Sequence, residues 1–263
     1  MKFGISTACF YPEDLLKSIE MLAEKNVCCM ELFVNTIGEV TKEFAKTVNS
    51  ITSSNIKITS VHPFTSGYEN ILLFSDYYRR FEESVDFYKR YSEFAYRVGA
   101  GIVVLHGDKR FEGKGGIPDG EYFERYYKLR EAMKKEGAFP AQENVNLFRS
   151  QSPAFIEKMR KYLGSDVDFV FDIKQAVRSK NNPFEMCRAM GNRIAHMHIN
   201  DNDSYNDCLL PGRGTMGYEK ILGMMCSQGY RGNAVIEVYR KNFEDIDDIM
   251  KSYRMLNSSL SNL

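Results

Sequence analysis

Four side chains in the second half of the sequence, Glu143, Asp172, His198 and Glu237, are of the types that ligate hard or borderline metal ions, and they follow one another at 29, 26 and 39 residues. Three carboxylates and one imidazole make a mixed oxygen and nitrogen donor set, suited to Mn²⁺, Mg²⁺, Co²⁺ or Zn²⁺ rather than to a metal selected by thiolates. Taken singly, each would be read as a salt-bridged or hydrogen-bonded core residue. Together they would crowd three negative charges into one low-dielectric site, which is costly without a cation. The conjunction therefore predicts one bound divalent ion.

Each of the four lies at the end of a short apolar run. In the run ending His196-Met197-His198-Ile199, alternation puts Ile194, His196 and His198 on one face and Ala195, Met197 and Ile199 on the other. The pairs Ala141/Glu143, Val170/Asp172 and Val235/Glu237 keep the same period of two, as do Ser60/His62 and Val104/His106. Glu31 ends a further run. The expected strands are 3–7, 28–33, 57–62, 101–106, 139–145, 168–173, 193–199 and 233–238. Helical patterns lie between them. One stripe is Leu15, Ile19, Leu22 and Ala23, opened by Pro12-Glu13-Asp14; another runs from Asp76 to Val98; a third carries Tyr218, Ile221, Leu222 and Met225; the last carries Ile246, Ile249, Met250, Tyr253, Leu256 and Leu260.

Eight strands alternating with helices over this length predict a (β/α)8 barrel forming a single domain, residues 1–263. An open doubly wound sheet would also alternate, but it would carry a glycine-rich first turn, and none is present. In a barrel of this kind the C-terminal strand ends hold the active site, which is where the acids and imidazoles fall. The Gly-rich stretch Asp108–Gly120 is expected to be a floppy connection, with a lid as the alternative.

Composition narrows the partners. Lys plus Arg and Asp plus Glu number 35 each, so no net charge favours nucleic acid or an anionic membrane. No apolar run approaches a membrane span. The first residues enter a strand without the pattern of a signal peptide, and six cysteines show no CxxC spacing. Buried reduced thiols in a cytoplasmic protein are the expectation. A homo-oligomer is left open.

The order of motifs resembles the xylose isomerase-like barrel superfamily, the sugar phosphate isomerase/epimerase group that also includes the apurinic endonucleases. The resemblance runs through Phe3-Gly4-Ile5-Ser6-Thr7, Met30-Glu31-Leu32, Ser60-Val61-His62-Pro63-Phe64 and Val104-Leu105-His106-Gly107. It continues through Glu143-Asn144-Val145, Phe171-Asp172-Ile173, His196-Met197-His198-Ile199-Asn200-Asp201, Pro211-Gly212-Arg213-Gly214-Thr215 and Ile236-Glu237-Val238-Tyr239. It implies that Glu143, Asp172, His198 and Glu237 hold one divalent metal, and that Glu143 and Glu237 carry protons as acid and base. It also implies that His62 and His106 line the substrate pocket, and that Arg213 contacts a sugar or its phosphate.

Two positions depart from the pattern. Gln175 stands where epimerases and endonucleases often have a histidine, and Leu209 stands where the endonucleases have another. Gln175 can hydrogen-bond a sugar hydroxyl but cannot carry a proton, and Leu209 cannot bind zinc. A trinuclear zinc site is therefore not expected, nor is phosphodiester hydrolysis. The leading expectation is a metal-dependent isomerase or epimerase of a small sugar, keto-sugar or sugar phosphate, working through an enediolate with two glutamates as acid and base. The alternatives are a dehydratase or lyase on a cyclitol or sugar using the same metal-stabilised enolate, and a non-catalytic sugar-binding relative.

Overall fold

The computed structural model describes residues 1–52, 55–109 and 116–259. Eight parallel strands close into a barrel in sequence order: β1 (Phe3–Ser6), β2 (Cys29–Val34), β3 (Lys57–Pro63), β4 (Ile102–Leu105), β5 (Phe139–Glu143), β6 (Phe169–Asp172), β7 (Ile194–Ile199) and β8 (Ala234–Ile236). All eight expected strands are present, most of them trimmed by a residue or two at one end or both. Strand β8 pairs with both β7 and β1, so the sheet has no free edge.

Ten helices surround the barrel among the described residues: α1 (Leu15–Glu24), α2 (Lys42–Thr52), α3 (Glu69–Leu72), α4 (Tyr78–Arg97), α5 (Asp119–Lys134), α6 (Pro153–Leu163), α7 (Ile173–Arg178), α8 (Pro183–Met190), α9 (Tyr218–Ser227) and α10 (Ile246–Ser259). The connections after β3 and β6 each hold two helices rather than one. Local chemistry sets several starts. Asp14 caps α1 by accepting from Leu16 N and Lys17 N, and Ser152 caps α6 just before Pro153. Leu260, expected on the last helical stripe, and residues 110–115 of the Gly-rich stretch lie outside the described residues.

Two apolar layers hold the barrel. The larger packs strand residues such as Phe171, Met197 and Ile199 against helix residues such as Tyr91, Tyr126 and Leu222, all buried. The smaller is inside the barrel, where Val104, Ala141 and Val170 form a separate buried cluster. These three share the parity of His106, Glu143 and Asp172, so the period of two carries those chemical groups into the interior as expected. On the opposite wall, Ser6 pairs with Glu31 and Glu31 with Ser60, placing three polar residues level across β1, β2 and β3.

The register also explains how distant strand ends meet. Glu143 is level with Val170, Asp172 with His198, and His198 with Val235. Asp172 is therefore reached from Glu143, and Glu237 from His198, by climbing about 6.6 Å, two residues of strand, whereas Asp172 and His198 stand level. That stagger is the tilt of a closed barrel, and it turns scattered sequence positions into one ring at the C-terminal mouth.

Six cysteines are free; Cys9, Cys29, Cys187 and Cys208 are buried, while Cys28 and Cys226 are half-buried. No described helix is long and apolar enough to cross a membrane.

Candidate metal centre

Glu143 ends β5, Asp172 ends β6, His198 lies near the end of β7, and Glu237 follows β8. One donor atom from each lies within 4.8 Å of all the others. With metal–ligand bonds of roughly 2.0–2.2 Å, donors on opposite sides of one ion stand about 4.4 Å apart, so the spacing suits a single centre. His198 Nδ1 is 2.7 Å from Glu237 Oε2, 3.4 Å from Glu143 Oε1 and 3.5 Å from Asp172 Oδ2. Glu143 Oε2, Asp172 Oδ2, His198 Nδ1 and Glu237 Oε2 are all buried, and their close neighbours are one another, the two flanking imidazoles and the Lys174 ammonium. Three carboxylates and an imidazole crowded together out of water are costly without a cation to share them, which points to a bound ion. The residues fit a divalent cation.

Backbone chemistry aims Asp172. Its Oδ1 caps α7 by accepting from Gln175 N at 3.0 Å, which leaves Oδ2 for the site. Asn144 clamps the same strand end: its Oδ1 accepts from Asp172 N and its Nδ2 donates to Asp172 O, both at 2.8 Å. Asn200 Nδ2 adds a contact of 3.3 Å to Asp172 Oδ1.

His198 is held from behind. Its Nε2 is 3.1 Å from Glu31 Oε2, which also accepts from Ser60 Oγ at 2.7 Å, while Ser6 Oγ donates to Oε1 at 3.0 Å. His196 Nε2 lies 3.2 Å from the same Glu31 oxygen and 3.0 Å from Ser60 Oγ. A carboxylate behind the imidazole fixes a proton on Nε2 and frees Nδ1 for the metal. Burial would raise the Glu31 carboxyl, but the charges and hydrogen bonds of His198 and His196 hold it well below the usual range. Burial would lower the His198 imidazole, but Glu31, Glu237, Asp172 and Glu143 push it well above.

His62 and His106 flank Glu143. Their Nε2 atoms lie 3.8 and 3.0 Å from Glu143 Oε2 and 3.1 Å from each other. Against the cost of burial, His106, His198 and His62 hold the Glu143 carboxyl well below its usual range. Phe33 and Phe148 pack on the two imidazoles at ring separations of 5.2 and 5.6 Å. Glu69 supports this wall from the α3 segment, accepting from Gly107 N at 2.5 Å and from Tyr88 Oη at 3.1 Å. Gly107 has φ of +89°, and a Cβ there would stand 2.2 Å from Tyr122 Oη, so only glycine fits.

The remaining two expected site residues are placed differently. Gln175 sits on α7 beside Asp172, and its Oε1 accepts from Asn146 N at 3.2 Å. Arg213 is 44% exposed and ion-paired with Asp248 at 2.9 Å. The turn that carries it is wound around the buried Asp201 carboxylate, which accepts from the backbone N–H groups of Asn202, Gly212, Gly214 and Met216.

Two groups in the site went unassigned in the sequence. Glu31 was visible as a strand-end acid, but nothing in its neighbourhood showed that it backs His198. Lys174 carried no signal at all. It is 2% exposed, with Nζ 3.3 Å from both Asp172 Oδ2 and Glu237 Oε2. Burial would lower its pKa, but the charges of Asp172 and Glu237 keep it well above the ordinary lysine value. Asp172 itself is raised by burial despite Lys174, whereas Lys174 and His198 hold Glu237 low against burial.

Comparison with known proteins agrees with the barrel fold. The family model described as xylose isomerase-like TIM barrel matches residues 16–259. An uncharacterised protein of Methanocaldococcus jannaschii is 25% identical over 275 residues, covering 96% of this chain and 89% of its own. Among solved structures, a D-tagatose 3-epimerase-like protein is 25% identical with a TM-score of 0.80, covering 100% of this chain and 98% of the other. The IolI protein, solved with a bound zinc atom, shares the fold with a TM-score of 0.78 at 15% identity, covering 100% and 99% of the two chains.

Proposed function

The chain belongs to the xylose isomerase-like TIM barrel family, and from that premise we propose that it is a divalent-metal-dependent isomerase or epimerase of a small sugar, keto-sugar or sugar phosphate. The observation that carries the proposal is the convergence of three carboxylates and an imidazole, one donor atom from each lying within 4.8 Å of the others, with two of the carboxylates being glutamates from separate strand ends. The resemblance to a D-tagatose 3-epimerase-like protein supports the substrate class.

Glu143, Asp172, His198 and Glu237 would hold the ion. When bound, a divalent cation supplies Lewis acidity, polarising a carbonyl oxygen and acidifying the C–H beside it. Glu143 and Glu237 come from β5 and from beyond β8; with the two facing each other across the ion, a sugar carbon bound between them would meet a carboxylate on either side. One glutamate removes the proton as general base and the other returns it, inverting the carbon; return at the neighbouring carbon interconverts aldose and ketose. His62 and His106 hold Glu143 ionised and so ready to accept a proton. Their ring N–H groups, with the Gln175 amide, are suited to orienting sugar hydroxyls. Phe33 and Phe148 offer apolar faces beside the imidazoles for the C–H face of a sugar ring.

The test is turnover in D₂O by protein loaded with Mn²⁺, offered free ketoses, cyclitol ketones and their phosphates. Product should carry solvent deuterium at the reacting carbon, and Glu143→Gln and Glu237→Gln should each lose roughly 10²-fold or more in kcat. Turnover without deuterium would indicate a hydride shift and reduce both glutamates to ligands. Inertness of the loaded protein toward the whole panel would contradict the proposed activity.

A further inference from the structure

Lys174 is the group in this centre that the proposed chemistry leaves unused. Lysine is almost never fully buried unless paired, and among the described residues its ion pairs are with Asp172 and Glu237 alone. The oxygens it touches, Asp172 Oδ2 and Glu237 Oε2, are two of the four donor atoms of the metal centre. Its position follows from the fold. Asp172 caps α7, so the helix starts at the rim of the barrel and its first turn lies against the mouth. From there the side chain passes 5.1 Å from the Tyr239 ring to reach both carboxylates.

The charges make the consequence definite. Three carboxylates facing a divalent ion leave one negative charge, and the ammonium cancels it. Without the ion, the ammonium is the fixed cation beside the cluster, alongside whatever proton His198 holds. We propose that Lys174 is a built-in counter-cation that stabilises the metal-free centre and competes with the divalent ion for Asp172 and Glu237. The proposal rests on the same four ligands as the proposed function but needs no substrate.

Mn²⁺ binding to chelator-stripped protein, measured by calorimetry, tests it together with thermal unfolding in EDTA. Lys174→Met removes the charge while keeping most of the side-chain volume. It should bind Mn²⁺ at least about tenfold more tightly than the parent, since a unit charge a few ångströms from the ion acts strongly in a buried site. The same variant should melt at a lower temperature in EDTA. A merely structural lysine would move both readouts downward, because a damaged site binds metal less well. Lys174→Gln, which keeps a donor for the carboxylates, is measured in parallel and should shift affinity in the same direction. A Met variant that folds only with Mn²⁺ present supports the proposal, as does Mn²⁺ binding by the variants but not by the parent. If the parent binds Mn²⁺ and neither variant binds it more tightly, the competition is refuted while the metal centre stands. If no form binds Mn²⁺, the counter-cation role and the metal reading both fall.

Discussion

Replacing Glu31 by glutamine changes one oxygen to an amide nitrogen at the hub of the wall behind His198. The native Oε2 accepts from Ser60 Oγ at 2.7 Å and faces His198 Nε2 at 3.1 Å and His196 Nε2 at 3.2 Å. In the variant, orienting the amide oxygen toward Ser6 puts its N–H groups against the His198 Nε2–H. The imidazole must then move its proton to Nδ1, the atom the metal needs, or the amide must flip so that its N–H donates to Ser6 Oγ, which now donates at 3.0 Å. Two hydrogen bonds to a charged group are weakened or lost, each contributing about 1.5–3 kcal/mol. Breaking one side of a buried ion pair costs a similar total of about 3–5 kcal/mol. At about 2–4 °C per kcal/mol for a chain of this size, Tm should fall by roughly 6–12 °C at the lower of those energies. Metal affinity should drop about 10–100-fold, the scale for groups that orient a ligating histidine. Differential scanning calorimetry and Mn²⁺ titration read the two effects. Native affinity in Glu31→Gln would refute the role assigned to this wall, whatever happens to Tm.

Two further outcomes follow from the same geometry. Asp172→Asn should keep the α7 cap, because asparagine caps as well as aspartate, yet lose most metal occupancy; metal analysis beside circular dichroism separates the two. His198 must shed its proton before Nδ1 can bind metal, and its pKa stands well above the usual 6.5. Mn²⁺ affinity should therefore climb with pH above about 6.5 and each binding event should release a proton. Calorimetry in buffers of different ionisation enthalpy measures that release, and an affinity flat from pH 6 to 9 would contradict it.

The parts legible in the sequence were those fixed by local periodicity. Glu143, Asp172, His198 and Glu237 could be read together because each ends a strand with the parity of an interior position, and parity survives small errors in strand limits. The limits themselves moved by a residue or two because pairing, not propensity, ends a strand: Asp172 already has its carboxylate in the α7 cap. Glu31 shows what periodicity leaves out. Its partners are 25, 29 and 167 residues away, and only closure of the barrel brings β7 opposite β2. Lys174 was illegible for the opposite reason. A lysine in the first turn of a short helix ordinarily faces water, and its burial depends on where α7 docks. Arg213 had a motif position but no visible partner, and the pairing with Asp248 comes from the approach of α10.

The most direct test of the account is where a divalent ion goes. Crystals soaked in Mn²⁺ and measured near the manganese absorption edge should show one strong anomalous peak, within roughly 2.0–2.3 Å of Glu143, Asp172, His198 and Glu237. A map with no peak there, or with its strongest peak at a different set of side chains, would contradict the account.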